Sequence, residues 1–275
     1  MLTRPVPSTG ELLPVLGLGT WQTFDIGANR DARENLADVL STFASLGGKL
    51  VDSSPMYGSA EEVVGDLAAA AGLREKLFVA TKVWTTGRTK GIAEMESSMR
   101  KLRVETVDLM QVHNLVDVAT HLRTLAEWKA AGRVRYVGIT HYTASAHEKV
   151  AKLLQSHASI DFVQINYSAA EREAEKRVLP VARDRGVAVI VNRPFAEGGL
   201  LKRLARVPLP GFARELACTS WAQLLLKFII AHPAVTCAIP ATSDVDHLRD
   251  NLGAGDGPFP DEEMRNRIVE AVLGA

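Results

Sequence analysis

The sequence predicts an α/β fold, a (β/α)8 TIM barrel in a single domain, and three observations carry that expectation. Short apolar runs rich in β-branched residues alternate eight times with segments of helical periodicity. Such alternation favours a parallel sheet, and eight units favour closure over an open sheet. The repeat stays near the roughly 30 residues of a strand–helix–strand unit. At 275 residues with 47% apolar content, the chain is close to the roughly 250 residues typical of such a barrel and can bury a substantial core.

A segment over 1–14 precedes the barrel, which is expected over about 15–254, and a short tail and helix occupy 255–275. The first strand is expected over 15–21. A helix follows whose Leu36, Val39, Leu40, Phe43 and Leu46 share one face, and Gly47-Gly48 stops it. The second strand, 50–53, leads to Ser59 and Glu62, spaced as a capping box before a helix burying Val63, Val64 and Leu67. The third strand spans 77–82, and Ile92, Met95, Met99 and Leu102 mark the next helix. The fourth spans 107–113, followed by a helix with Val118, Leu122 and Leu125 that ends at Gly132. The fifth spans 134–140, and Ser145 with Glu148 reads as a second capping box ahead of Val150, Leu153 and Leu154. Strands six and seven, 162–167 and 187–192, flank a helix carrying Val178 and Val181. After a long loop, 193–218, come a helix with Trp221, Leu224, Leu225, Phe228 and Ile229, the eighth strand over 235–239, and a helix with Val245, Leu248 and Leu252. Gly257-Pro258 and Pro260 break the chain before a terminal helix, about 261–273.

Thirty-two basic and 32 acidic residues give zero net charge, so nothing global points to nucleic acid or an anionic membrane. Cys218 and Cys237 have no CxxC or zinc-like spacing and read as small buried hydrophobes in a reducing compartment. The first nineteen residues hold one Arg and three prolines, with no signal-peptide core. No later run approaches the roughly 20 apolar residues of a membrane span. A cytoplasmic location is expected, and no metal site. These patterns do not set the oligomeric state.

Three of the strands end in polar groups: Asp52, Lys82 and His113. Parallel strands end on one face, so a carboxylate, an ammonium and an imidazole converge there, with Tyr57 on the loop leaving the second strand. That face is where a βα barrel keeps its chemistry. Singly, each residue has a plainer reading: Asp52 with Lys82 as an internal ion pair, His113 as a structural hydrogen-bonding group, Tyr57 as packing. Competing motifs fail. Gly17-Leu18-Gly19-Thr20-Trp21-Gln22 lacks the third glycine of a dinucleotide-binding fingerprint, no GxxxxGK[ST] occurs, and His147-Glu148 lacks the second His of a zinc helix.

The stretch Val51-Asp52-Ser53-Ser54-Pro55-Met56-Tyr57-Gly58-Ser59-Ala60-Glu61 resembles the aldo-keto reductase family. Lys82-Val83-Trp84 and Gln111-Val112-His113 follow in the family's order, and the resemblance runs from Gly17-Leu18-Gly19-Thr20-Trp21 to Ile239-Pro240 and Asp250-Asn251-Leu252. It implies a barrel reducing an aldehyde or ketone with NADPH, or with NADH or either, and a catalytic tetrad of Asp52, Tyr57, Lys82 and His113. Tyr57 would give the proton, its pKa of about 10 lowered by the Lys82 ammonium. Asp52 would hold Lys82, and His113 would position the carbonyl oxygen.

The same resemblance assigns cofactor contacts. Thr140-His141 stand where relatives hold the nicotinamide amide with Ser-Asn, and Gln164 carries over directly. Asn192-Arg193-Pro194-Phe195 replace a context with a stacking aromatic, and Arg193 is expected on cofactor phosphate or amide. Gly198, Leu200 and Lys202 belong to a glycine-bearing loop over the pyrophosphate. Thr242, Ser243 and His247 stand where many relatives carry a Lys and an Arg against the 2′-phosphate, and Thr20 and Asn251 complete the set. Trp21 and Trp84 are expected to line a pocket over the nicotinamide, or else to pack in the core, and Met56 and Asn114 to touch the small carbonyl substrate. Two other readings stand beside the reductase: a Schiff-base aldolase with Lys82 as nucleophile, and a nicotinamide-sensing regulatory module on the same fold.

Overall fold

The computed structural model describes residues 1–275. A hairpin of β1 (Thr3–Pro5) and β2 (Leu12–Pro14) opens the chain, followed by β3 (Leu18–Gly19), α1 (Arg30–Ser45), β4 (Leu50–Asp52), α2 (Ala60–Ala70), β5 (Phe78–Val83) and α3 (Arg88–Leu102). Then come β6 (Val107–Val112), α4 (Val118–Ala130), β7 (Val134–Thr140), α5 (His147–Ser156), β8 (Phe162–Asn166), α6 (Glu173–Lys176), α7 (Val178–Asp184) and β9 (Ala188–Asn192). The last third supplies α8 (Gly199–Leu204), α9 (Trp221–Ile230), β10 (Cys237–Ala238), α10 (Val245–Gly253) and α11 (Glu262–Leu273).

Strands β3 to β10 pair in chain order, all parallel. The sheet closes through bridges Leu16–Ala238 and Gly19–Ala241. At this seam the Gly17 N–H donates to the Ala238 carbonyl (2.8 Å) and the Ala238 N–H to that of Val15 (2.9 Å). The fold is thus the expected (β/α)8 barrel. The first and eighth strands shrink to two residues each, because at the seam single bridges replace a continuous ladder. No helix is long and apolar enough to cross a membrane.

Two apolar clusters follow from the strand pleat. Inside the barrel, Leu50, Phe78, Leu109, Tyr136, Phe162 and Ile190 pack together with Val6 and Leu13 of the hairpin. Segment 1–14 is therefore a plug under the strands' N-terminal ends, where the Tyr136 hydroxyl meets Thr9 Oγ1 (2.7 Å) and donates to Glu11 (2.6 Å). Outside, the helices bury their apolar faces against the strands. Leu36, Val39, Leu40 and Phe43 do so as expected, whereas Leu46 caps α1 and is 40% exposed.

Neither capping box forms. Ser59 Oγ donates to Asp25 Oδ1 (2.9 Å) and accepts from the Gly27 N–H (2.9 Å), so it ties two loops together instead of capping α2. Ser145 lies in a short 3₁₀ turn and meets Thr143 Oγ1 (3.0 Å), while α5 begins after Ala146. The loop 193–218 also contains α8 and a 3₁₀ turn, Gly211–Leu216.

Gly65 marks the tightest helix contact near the site: a Cβ there would fall 2.0 Å from the Lys101 carbonyl oxygen at the end of α3. Both elements would have to part. Gly65→Ala is expected to cost about 1–3 kcal/mol, read as a lower urea midpoint. An unchanged midpoint would mean that α2 and α3 are not held this closely.

Candidate active site

Strand register brings the polar ends together. Asp52 pairs with Ala80 across β4 and β5, Lys82 with Gln111 across β5 and β6, and His113 follows β6 directly. Lys82 Nζ donates to Asp52 Oδ2 (2.7 Å) and the Ser53 carbonyl (2.6 Å). Asp52 Oδ1 accepts from Gln164 Nε2 (2.8 Å) and Gln111 Nε2 (3.2 Å). The pair is buried, and the Ser53 carbonyl on Lys82 and the two amides on Asp52 add the hydrogen bonds that a buried ion pair needs.

Tyr57 sits on the loop after β4 with its ring centroid 5.0 Å from Lys82 Nζ. Burial alone would lower the Lys82 pKa, but the Asp52 carboxylate and the Tyr57 phenol outweigh it and leave the ammonium above its ordinary value. Burial raises the Tyr57 phenol, Lys82 opposes it, and burial prevails. The expected lowering by Lys82 is thus real but smaller than the desolvation that counters it. His113 meets Ser54 Oγ through Nδ1 (3.1 Å). Burial, with the Lys82 and His141 charges, depresses the His113 pKa to about 2, so its ring is neutral at ordinary pH.

These groups form one wall of a cleft of about 640 Å³ at the strands' C-terminal ends, within the range of small-molecule and cofactor sites. Asp52, Tyr57 and His113 line it, while Lys82 lies behind them, fully buried. Trp21, Met56, Trp84 and Asn114 line it too; the two tryptophans are 39% and 44% exposed, so they are cleft walls and not core. Thr20, Thr140, Gln164, Asn192, Arg193, Pro194, Phe195, Gly198, Thr242, His247 and Asn251 also face it.

Four expected residues do not reach the cleft. His141 turns into its own loop, where Nδ1 accepts the N–H groups of Tyr142 (3.0 Å) and Thr143 (3.3 Å). Leu200 packs in the core, and Lys202 and Ser243 point to solvent. Helical and loop geometry places their neighbours there instead: Tyr142, Leu201 and Thr242. Gln164 reaches the cleft, but Asp52 takes its amide N–H, so its first partner is the ion pair and not a ligand.

Gln22, Tyr142, Glu197 and Asp250 also line the cleft, although none was expected as a site residue. Backbone conformation marks some of them. Gln22, Asn114, Arg193 and Glu197 have φ of 62°, 51°, 52° and 56°, and left-handed non-glycine residues gather at functional sites. Arg193 donates through Nη1 to the Tyr142 carbonyl (3.0 Å) and pairs through Nη2 with Glu197 (3.1 Å).

Asn192 and Arg193 line the cleft side by side, and Asn192 Oδ1, an acceptor, and Arg193 Nε, a donor, are buried behind its surface without a protein partner.

The Aldo/keto reductase family model matches residues 15–271. The chain belongs to the aldo-keto reductase family. It is 30% identical to methylglyoxal reductase YeaE of Escherichia coli K12 over 259 residues, covering 91% of this chain and 89% of that protein. It is 28% identical to an NADH-specific methylglyoxal reductase of the same organism, covering 82% and 77% of the two chains. An aldo/keto reductase from Klebsiella pneumoniae, solved with NADP and acetate, superposes with a TM-score of 0.81 at 25% identity over 94% of this chain and 91% of that one. NAD(P)H-dependent carbonyl reduction is the activity that aldo-keto reductase membership carries.

The buried neutral His113 has a consequence for this aldo-keto reductase in acid. Below pH 6.5 the unfolded ring takes up a proton that the folded ring, at about 2, refuses. The stabilisation is therefore full above pH 6.5 and is lost as the pH falls toward 2. Between pH 7 and pH 5 this amounts to about 2 kcal/mol. Urea unfolding at the two pH values should show a smaller loss for His113→Asn than for wild type, and equal losses would contradict a neutral buried ring.

Proposed function

We propose that the cleft binds NADPH, with NADH as the other nicotinamide open to it, and that Tyr57 protonates the carbonyl oxygen of a small aldehyde or ketone there. The observation that carries this is the placement of Tyr57 and neutral His113 on the cleft wall with the Asp52–Lys82 pair buried behind them. The methylglyoxal reductases among the relatives favour a small oxoaldehyde as substrate.

When bound, the reduced nicotinamide supplies the hydride. Asn192 and Arg193 would hold its amide, and Thr242 and His247 around the start of α10, with Asn251 in its last turn, would hold the far end of the cofactor. Tyr57 holds the proton: burial keeps the phenol protonated until an alkoxide, a far stronger base, develops beside it. Lys82 then faces the phenolate left behind, and Asp52 keeps that ammonium charged and fixed. His113, being neutral, directs an N–H at the same oxygen without adding a charge. Trp21, Met56, Trp84 and Asn114 would form the substrate's surroundings. The partner is thus a small molecule, and the working location proposed is the cytoplasm.

The aldolase reading loses to this one on Lys82 itself. A Schiff-base lysine must be neutral and reachable, whereas Lys82 is fully buried and doubly hydrogen-bonded, and its neighbours favour the charged form.

Tyr57→Phe should lower kcat on methylglyoxal by about 10²–10⁴-fold while the dissociation constant for NADPH, from fluorescence titration, changes less than about twofold. A variant that keeps its rate removes Tyr57 as the donor. Arg193→Ala should weaken NADPH by more than about twofold, the loss of at least one modest hydrogen bond. A smaller change would take Arg193 out of the cofactor site.

A further inference from the structure

For His113 to donate to a carbonyl oxygen, the ring nitrogen that faces the cleft must carry the hydrogen. A neutral imidazole has only one N–H, and its position is set by what the other nitrogen meets. Here Nδ1 meets Ser54 Oγ at 3.1 Å, and Nε2 has no protein partner.

Ser54 is fully buried, two residues beyond Asp52. Its Oγ accepts the backbone N–H of Met56 (3.3 Å), and His113 Nδ1 is the only other group within hydrogen-bonding reach of that oxygen. Two arrangements can be written. If Nδ1 carried the hydrogen, Ser54 Oγ would accept both from Nδ1 and from Met56, and its own hydroxyl hydrogen would be buried with no acceptor. A stranded buried donor is the costly case. If the Ser54 hydroxyl donates to Nδ1, every group is satisfied and the imidazole hydrogen sits on Nε2.

We propose that Ser54 is a positioning residue that fixes His113 in the Nε2–H form, so that the ring presents a donor and not a lone pair to the substrate oxygen. This rests on the reductase reading for its purpose, but not for its geometry. The Met56 N–H orients the hydroxyl, and Met56 immediately precedes Tyr57. The same short turn therefore aligns the proton donor and sets the tautomer of its neighbour, whose ring lies edge-on at 6.0 Å. The Lys82 ammonium works in the same direction by disfavouring a second proton on the ring.

The test is the ¹⁵N spectrum of imidazole-labelled protein at neutral pH without ligands, with the His113 signals assigned by their loss in His113→Asn. Wild type should show the Nε2–H pattern. Ser54→Ala should show Nδ1–H or a mixture of the two forms, with kcat lowered about three- to tenfold, the worth of one neutral hydrogen bond. Its NADPH dissociation constant should stay within about twofold of wild type, and Ser54→Thr, which keeps the hydroxyl, should restore both tautomer and rate. An Nδ1–H pattern in wild type overturns the proposal, as does an unchanged Nε2–H pattern in Ser54→Ala. If Ser54→Ala does not fold, the wild-type spectrum and Ser54→Thr still decide. Because the spectrum needs no turnover, an inactive wild type with the Nε2–H pattern would sink the reductase reading and leave the assignment of Ser54 standing.

Discussion

Moving Asp52 and Lys82 out of water costs several kcal/mol for each charge, and their mutual attraction offsets that only where the remaining hydrogen-bonding positions are also filled. In this barrel the filling comes from four strands. Asp52 stands on β4, Lys82 on β5, Gln111 on β6 and Gln164 on β8, and the Ser53 carbonyl extends β4 by one residue. A register slip by one residue in any of them would turn its side chain to the other face of the sheet. The ion pair would then be left partly unsatisfied. The pair is thus weak as a source of stability but strong as a constraint on register, and the same constraint delivers the Tyr57 and His113 geometry.

The strand ends could be read in the sequence because their signal is local: an apolar run and then one polar group, as at Asp52, Lys82 and His113. Their convergence needed only the parallel topology. What failed to show was anything set by three-dimensional partners. Segment 1–14 was expected only to precede the barrel, yet it forms a hairpin in which Pro5 and Pro14 fall at strand ends, where a missing N–H is tolerated. Gln164 was expected on strand six facing the nicotinamide, but only the assembled barrel shows that Asp52 claims its amide. Ser59 has the spacing of a cap and the partner of a tether, because Asp25, distant in sequence, lies closer than the helix end. The one-residue offsets, Tyr142 for His141 on a loop and Leu201 for Leu200 on α8, reflect a loop turn and a short helix inside a segment read as loop.

The two sides of the cleft are built on different physics. On the side of Tyr57 and His113, His113 and the ion pair are buried at strand ends and hydrogen-bonded, and the half-buried Tyr57 packs its ring against Lys82 and His113. On the side of Arg193, residues 193, 196 and 197 hold left-handed φ values, and the guanidinium is tied to its own neighbourhood by Glu197 and the Tyr142 carbonyl. Such a conformation persists only while surrounding contacts hold it.

That division fits a barrel, in which function varies through the loops while the strand ends stay fixed. It also explains why the departures of this chain fall where they do. Asn192 and Arg193 occupy the ground of an expected aromatic ring at the end of β9, where neither bonds Asp52 or Lys82 and Asn192 meets the network only through Gln164 Oε1 (3.4 Å). The side of the ion pair has less freedom: a change at Gln111 or Gln164 would reach Lys82 through Asp52, and through Lys82 the Tyr57 ring beside it.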